Sequence, residues 1–169
     1  SSIQLSASLL HILNSNDKFS LSTPLSQKAS PAASYDEGQS GVITLASEGM
    51  MDIQGSVAFT HFSEVSLQAG QDIRLSDEQY TYKSGTGAQI QELWTGSIES
   101  AGPLLNLEAG RIYPTTRAHF SFLSGSKIET SRSLRRAPPG PMVSAGGQVK
   151  LEAALIEHNG FLAAPMGRI

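Results

Sequence analysis

The chain has 169 residues, which suits one domain or one segment of a repeat array. Charged residues make up only 16% of it, so uncharged polar residues and glycine fill the surface, and these favour strands and tight turns over long helices. The net charge of −3, without a Lys/Arg run, argues against nucleic acid or an anionic membrane surface as a partner. The absence of cysteine excludes disulfides and thiolate metal sites, and no apolar run is long enough to span a membrane.

Five short segments share one pattern, in which a branched aliphatic residue or Leu is followed at alternate positions by Leu and by Ala or Ser. They are 3–7, 43–47, 65–69, 105–109 and 149–153. Their first positions are separated by 40, 22, 40 and 44 residues. A unit of about 20 to 22 residues fits these intervals and predicts roughly seven units, with a period typical of solenoid proteins.

Each repeat predicts a strand followed by a corner. Alternation places the two apolar side chains on one face, so Leu67 and Leu107 are expected to point inward. A small residue and often a glycine follow, as at Gly70 and Gly110, and 72–75 then predicts a second short strand. Weaker strands are expected between the clear units. They are 19–21, 89–94, 120–122 and 127–130.

The main rival to this interpretation is a short helix over 148–158. This stretch matches 2–10 at a constant offset, and that earlier stretch contains two serines and ends in an apolar run. We therefore expect strands in both places.

Two segments do not look like strands. Residues 22–41 are rich in Ser, Ala, Pro and Gln, and residues 131–141 contain three arginines followed by three prolines. Because proline cannot donate to a strand ladder, neither segment fits an inner strand. Both are predicted to be loops that extend from a corner.

The repeat resembles the haemagglutinin repeats of filamentous haemagglutinin-like large exoproteins, which Gram-negative bacteria export by two-partner secretion. Residues 65–73 and 145–153 look like the strand, Ala-Gly, strand units of that family, and 111–116 and 164–169 resemble segments of its large members. The resemblance implies an all-β, right-handed parallel β-helix in which 1–169 is one segment of a longer shaft. No Asn-Pro-Asn-Gly element typical of the amino-terminal secretion domain is present.

The same resemblance implies a structural function in an adhesin or a contact-dependent toxin-delivery protein that is secreted or held at the cell surface. The expected partners are an outer-membrane transporter during secretion and, through other parts of the parent protein, a host or neighbouring cell. Because a stack of strands leaves unpaired backbone groups at its ends, end-to-end self-association is also expected.

No catalytic, cofactor or metal site is predicted, and the four histidines lack ligand spacing. Arg132, Arg135 and Arg136 form the main basic cluster, which is interpreted as a contact for an acidic partner, a cleavage site or a solvated loop. Four aromatic residues are either core or corner residues or platforms on which sugar rings stack, and they are Tyr80, Tyr82, Trp94 and Tyr113.

Two other functions remain open from the residues alone. One is a β-helix enzyme acting on polysaccharide, which would need carboxylates and Arg or Lys together on one outer sheet. The candidates for this role are Arg111 and Arg117, with Asp17 and Lys18. The other is a carbohydrate-binding β domain, for which antiparallel hairpins every 8–12 residues would be expected.

Overall fold

A computed structural model describes residues 2–13, 40–76, 78–84, 89–133 and 141–169. Within these ranges the chain forms β-strands and no helix, which confirms the all-β prediction and excludes the rival helix over 148–158. The strands are β1 (Ser2–Ala7), β2 (Leu10–Leu13), β3 (Gly41–Ser47), β4 (Met51–Gln54), β5 (Ser56–Phe59), β6 (Phe62–Ala69), β7 (Asp72–Ser76), β8 (Glu78–Ser84), β9 (Gln89–Ser100), β10 (Leu104–Ala109), β11 (Arg111–Pro114), β12 (His119–Ser124), β13 (Lys127–Arg132), β14 (Gln148–Glu152) and β15 (Leu155–Asn159).

The strands form three sheets, here named A, B and C. Sheet A has the order β1, β3, β6, β10, β13, β15; sheet B has β2, β4, β7, β11; and sheet C has β5, β9, β12, β14. All of these neighbours are parallel, whereas β8 pairs with β9 in antiparallel fashion. From β3 to β13 the described chain passes repeatedly from sheet A to B to C and back to A.

Two rows of aliphatic side chains run across sheet A at right angles to its strands. The first row is Ile3, Ile43, Val65, Leu105, Ile128 and Ile156, and the second begins Leu5, Leu45, Leu67 and Leu107. Leu67 and Leu107 are fully buried, as predicted from the alternation. Side chains from all three sheets join these rows in one buried cluster, so the core lies between the sheets.

The second row ends in polar residues. Thr130 follows Leu107 in register, and His158 follows Thr130 on the last strand of the sheet. The Thr130 hydroxyl is buried and lies 2.6 Å from Nδ1 of His158. The aliphatic row is therefore replaced by a hydrogen-bonded polar pair towards β15.

The prediction of an extra unit is wrong in two of the three long intervals, whereas in the third the predicted strand at 127–130 pairs with β10 in sheet A, with Ile128 beside Leu105. Ile3 pairs directly with Ile43, and Val65 pairs directly with Leu105, so no strand of sheet A lies between the members of either pair. The antiparallel β8–β9 hairpin lies in the second interval. Val149 belongs to sheet C and not to the row of sheet A. Among the described residues sheet A has six strands, compared with the roughly seven units predicted. An insertion lengthens the chain between neighbouring strands without adding a strand to the sheet.

The corner between sheets A and B depends on glycine. The amide of Gly70 donates to the carbonyl of Ser47 at 2.9 Å, and the amide of Gly110 donates to the carbonyl of Gln71. A Cβ at Gly70 would overlap the carbonyl of Glu48. These corners are stacked so closely that the backbone itself fills the space between successive strands, as the Ala-Gly sequences predicted.

The predicted loop boundaries change at two places. Gly41 already belongs to β3, and β13 extends through Ser131 and Arg132, so both of these residues are strand residues rather than loop residues. Residues 22–39 and 134–140 lie outside the described residues, as does the weak strand predicted at 19–21. The predicted strands at 89–94, 120–122 and 127–130 all lie in strands, although those at 89–94 and 120–122 belong to sheet C.

Candidate functional site

The outer face of sheet B carries two bidentate ion pairs. Asp52 and Arg74 are neighbours on β4 and β7, and Nε and Nη2 of Arg74 donate to the two carboxylate oxygens at 3.1 and 2.5 Å. Asp72 and Arg111 are neighbours on β7 and β11, and Arg111 donates in the same way at 2.9 and 2.5 Å. Cross-strand opposite charges of this geometry stabilise the pairing of their strands.

Asp52 is held in its charged form by its neighbours. Burial raises the pKa of its carboxyl, but hydrogen bonds from Arg74 and from the Ser76 hydroxyl lower it, and the resulting pKa is below the ordinary value. Asp52 is therefore a fixed negative charge near neutral pH. Its main effect is to orient the guanidinium of Arg74.

Tyr113 continues the row that contains Asp52 and Arg74. The guanidinium of Arg111 lies 5.7 Å from the centre of its ring, within the range of a cation–π contact. Tyr113 is 4% exposed, and burial, together with the negative charge of Asp72, raises the pKa of its hydroxyl. Of the two interpretations of Tyr113, this burial favours a core residue over an open stacking platform.

A cleft of about 390 Å³ opens beside Arg74, and we refer to it as the sheet B cleft. Residues on the outer face of sheet B contribute to its lining, together with Pro141 and Val143 from the segment before β14. The residues that line the cleft are Met50, Gln71, Asp72, Arg74, Tyr113, Thr115, Thr116, Pro141 and Val143. This volume falls within the roughly 300–1,000 Å³ typical of small-molecule sites.

Arg74 can use a second edge in this cleft. A guanidinium has five N–H donors, and the ion pair with Asp52 uses Nε–H and one N–H of Nη2. Among the described residues no further acceptor contacts Arg74, whose side chain is 39% exposed. The Nη1–Nη2 edge is therefore available to a planar oxyanion while Asp52 holds the other edge.

The residues singled out from the sequence are scattered in the structure. Arg132 is the exposed last residue of β13, whereas Arg135 and Arg136 lie outside the described residues. Arg111 is paired with Asp72, and Arg117 lies in the turn between β11 and β12. Asp17 and Lys18 are outside the described residues, as is the side chain of Trp94.

The histidines do not form a common site. His11 lies on the exposed face of β2, His119 begins β12, and His158 contacts Thr130. In the part of the chain that the structure describes, no group of three or more His, Asp or Glu side chains is arranged to hold a metal ion.

The described residues contain no helix long and apolar enough to cross a membrane. No protein-family model, curated protein or solved structure matches this chain.

Sequence reasoning missed the ion pairs on sheet B. Asp52 and Arg74 are 22 residues apart, which equals the shortest repeat interval, so the period alone could have placed them side by side. Asp72 and Arg111 are 39 residues apart, and the inserted hairpin obscured that pairing. The cleft itself had no sequence signal, because Pro141 and Val143 reach it from a segment without regular strand pattern.

Proposed function

We propose that the chain is a segment of a right-handed parallel β-helix that serves as a stiff shaft in a secreted or surface-held bacterial exoprotein, without catalysis of its own. The observation that supports this most directly is the order of the parallel strands, which increases along the chain in each of the three sheets. Successive visits to sheets A, B and C then correspond to turns of a helix, and the six strands of sheet A correspond to six turns.

Such a stack is suited to mechanical support. Every interior strand is held on both sides by backbone hydrogen bonds, and the aliphatic rows continue from turn to turn. With strands about 4.8 Å apart, six turns would span roughly 24 Å along the axis. Bending or stretching the segment would break many backbone hydrogen bonds together, so a long array of these turns would hold distant regions away from a cell.

The ends of the stack support continuation by further strands. Ile3 and Leu5 on β1 are 46% and 54% exposed, and Ile156 on β15 is 42% exposed, although all three belong to rows that are buried in the interior. Further turns of a parent protein, or a second copy of this chain, would cover these side chains. We propose the first for the native exoprotein and the second, end-to-end association, for the isolated chain.

A polysaccharide-cleaving β-helix enzyme is the less favoured function. It requires a carboxylate and a base free to act on substrate, whereas Asp52, Asp72, Arg74 and Arg111 on sheet B are engaged with one another. The secretion partner and the Gram-negative cell surface are proposals that follow from the sequence resemblance.

The turn structure can be tested by deletion. Ser47 and Ala69 are in register on adjacent strands, so removing residues 48–69 joins Ser47 to Gly70 and deletes one strand from each sheet. The shortened chain should still unfold in one cooperative transition with reduced stability, because repeat arrays lose stability unit by unit. A chain lacking residues 48–58 is the control, and it should fail to fold because half a turn is lost. Equal failure of both chains would contradict the turn assignment.

The shaft location needs a separate test in the bacterium that makes the chain. Antibodies raised against the folded segment should label intact cells or the culture medium. Labelling confined to permeabilised cells would contradict a secreted or surface location.

A further inference from the structure

We propose that the sheet B cleft binds a saccharide that carries a carboxylate, with the carboxylate on the Nη1–Nη2 edge of Arg74. This inference is independent of the shaft function, because the cleft lies on an outer face and needs no contact at the ends of the stack. The argument rests on the available edge of Arg74, on the lining of the cleft and on its volume.

Arg74 is prepared to receive a planar oxyanion. The bidentate bond to Asp52, supported by the Ser76 hydroxyl, fixes the plane of the guanidinium before a ligand arrives. Two parallel N–H groups on its remaining edge match the two oxygens of a carboxylate. Fixing the donor in advance lowers the entropy cost of binding.

The rest of the lining is suited to hydroxyl groups. Gln71, Thr115 and Thr116 line the cleft, and they carry an amide and two hydroxyls that can donate and accept. Asp72 also lines it, with both carboxylate oxygens bonded to Arg111. Met50, Pro141 and Val143 supply apolar surface against which the C–H face of a sugar ring can pack. The cleft volume is adequate for one or two sugar rings.

An acidic peptide fits these observations less well. Peptides commonly add a strand to an open sheet edge, whereas this cleft lies over the face of sheet B, and at the edge beside β11 the backbone of Ile112 is bonded to Phe161 and Ala163. The carboxylates of Asp52 and Asp72 balance the two arginines, so a ligand with several negative charges gains nothing beyond the contact with Arg74.

The test is titration of the full chain with a glucuronate-containing disaccharide, its methyl ester and a blocked triglutamate peptide, followed by amide chemical shifts. The acidic disaccharide should bind with a dissociation constant on the order of 1 mM and shift the amides of Gln71, Thr115 and Thr116. The methyl ester should bind about tenfold more weakly, because it lacks the charged pair of oxygens. Equal binding of acid and ester, stronger binding of the peptide, or shifts confined to other regions would each overturn the proposal.

Variants locate the carboxylate. Arg74→Lys keeps the charge beside Asp52 but lacks the second edge, so it should fold like the parent and lose about tenfold in affinity for the acidic disaccharide. Arg132→Lys is the control, because Arg132 is an exposed arginine at the end of β13 that does not line the cleft, and its affinity should be unchanged. An unchanged affinity in Arg74→Lys, or an equal loss in both variants, would overturn the assignment.

Discussion

The interior and the end of sheet A contain the same kind of side chain in different surroundings. Leu67 on β6 and Leu5 on β1 stand in one row, yet Leu67 is fully buried and Leu5 is 54% exposed. β3 likewise alternates buried and half-buried positions, whereas every residue of β15 is exposed. Burial in this fold is therefore conferred by the neighbouring strand rather than by the residue's own sequence pattern.

The largest expected effect comes from placing a lysine at an interior position and at an end position of the same aliphatic row of sheet A. Leu67→Lys would bury an unpaired ammonium and should destabilise the chain by about 3–5 kcal/mol. Leu5→Lys can turn its charge to solvent and should cost about 1 kcal/mol or less. Denaturant unfolding measures both. Gln68→Lys, on the outer side of β6, is the control and should be nearly neutral, and a larger loss there than in Leu67→Lys would mean that the strand faces are assigned wrongly.

Glycines at the corners between sheets A and B allow a second comparison of the interior of the stack with its end. Gly70→Ala places a methyl group against the carbonyl of Glu48, which belongs to the corner of an interior strand, and should cost about 1–3 kcal/mol. In Gly49→Ala the added methyl group would lie 3.0 Å from the carbonyl oxygen of Ser8. Ser8 belongs to the corner that follows the end strand β1, where the backbone can move more easily. We expect its loss in melting temperature to be smaller. A greater loss for Gly49→Ala would show that the end corner is packed as rigidly as the interior one.

Association should involve the end strands. Sedimentation velocity should show a mass that rises with concentration, because β1 and β15 expose apolar residues and are the outermost of the described strands of sheet A. Leu5→Lys should reduce this association, while Lys placed at Gln68 should leave it unchanged. A chain that stays monomeric at high concentration would contradict the role of the ends.

The smallest expected effect concerns acid stability. The pKa of Asp52 is lowered in the folded chain, so its contribution is present above the unfolded carboxyl pKa and is lost as the pH falls through the lower folded value. Asp52→Asn should therefore destabilise the chain at pH 7, and its difference from the parent should shrink below about pH 4. Glu152→Gln, which removes an exposed pair with Lys150, should change little at either pH. A constant effect of Asp52→Asn from pH 7 to pH 3 would contradict the pKa assignment.

The features predicted correctly from the sequence are those that depend on the alternation of apolar and polar residues within one strand. Strand faces and the Ala-Gly corners at Gly70 and Gly110 follow from residues within five or six positions of each other, whereas the parallel arrangement was expected from the repeat period and the family resemblance. The number of strands was not predictable in this way, because an inserted hairpin and an additional turn both lengthen the interval between repeats. Predicting the Asp72–Arg111 ion pair required the strand register across the inserted hairpin, and predicting the cleft required the position of Pro141 and Val143.

The β8–β9 hairpin lengthens the chain between two neighbouring strands of sheet A without changing how those strands are aligned. β3 and β6 are 22 residues apart and β6 and β10 are 40 apart, yet neighbouring residues keep the same alignment in both pairs. Length changes in the antiparallel part of the hairpin therefore leave the rows of sheet A in register, whereas Ile98 on β9 belongs to the buried core. Antigenic variation, or a grafted peptide epitope, could be accommodated at this position while the strands of sheet A remain in place.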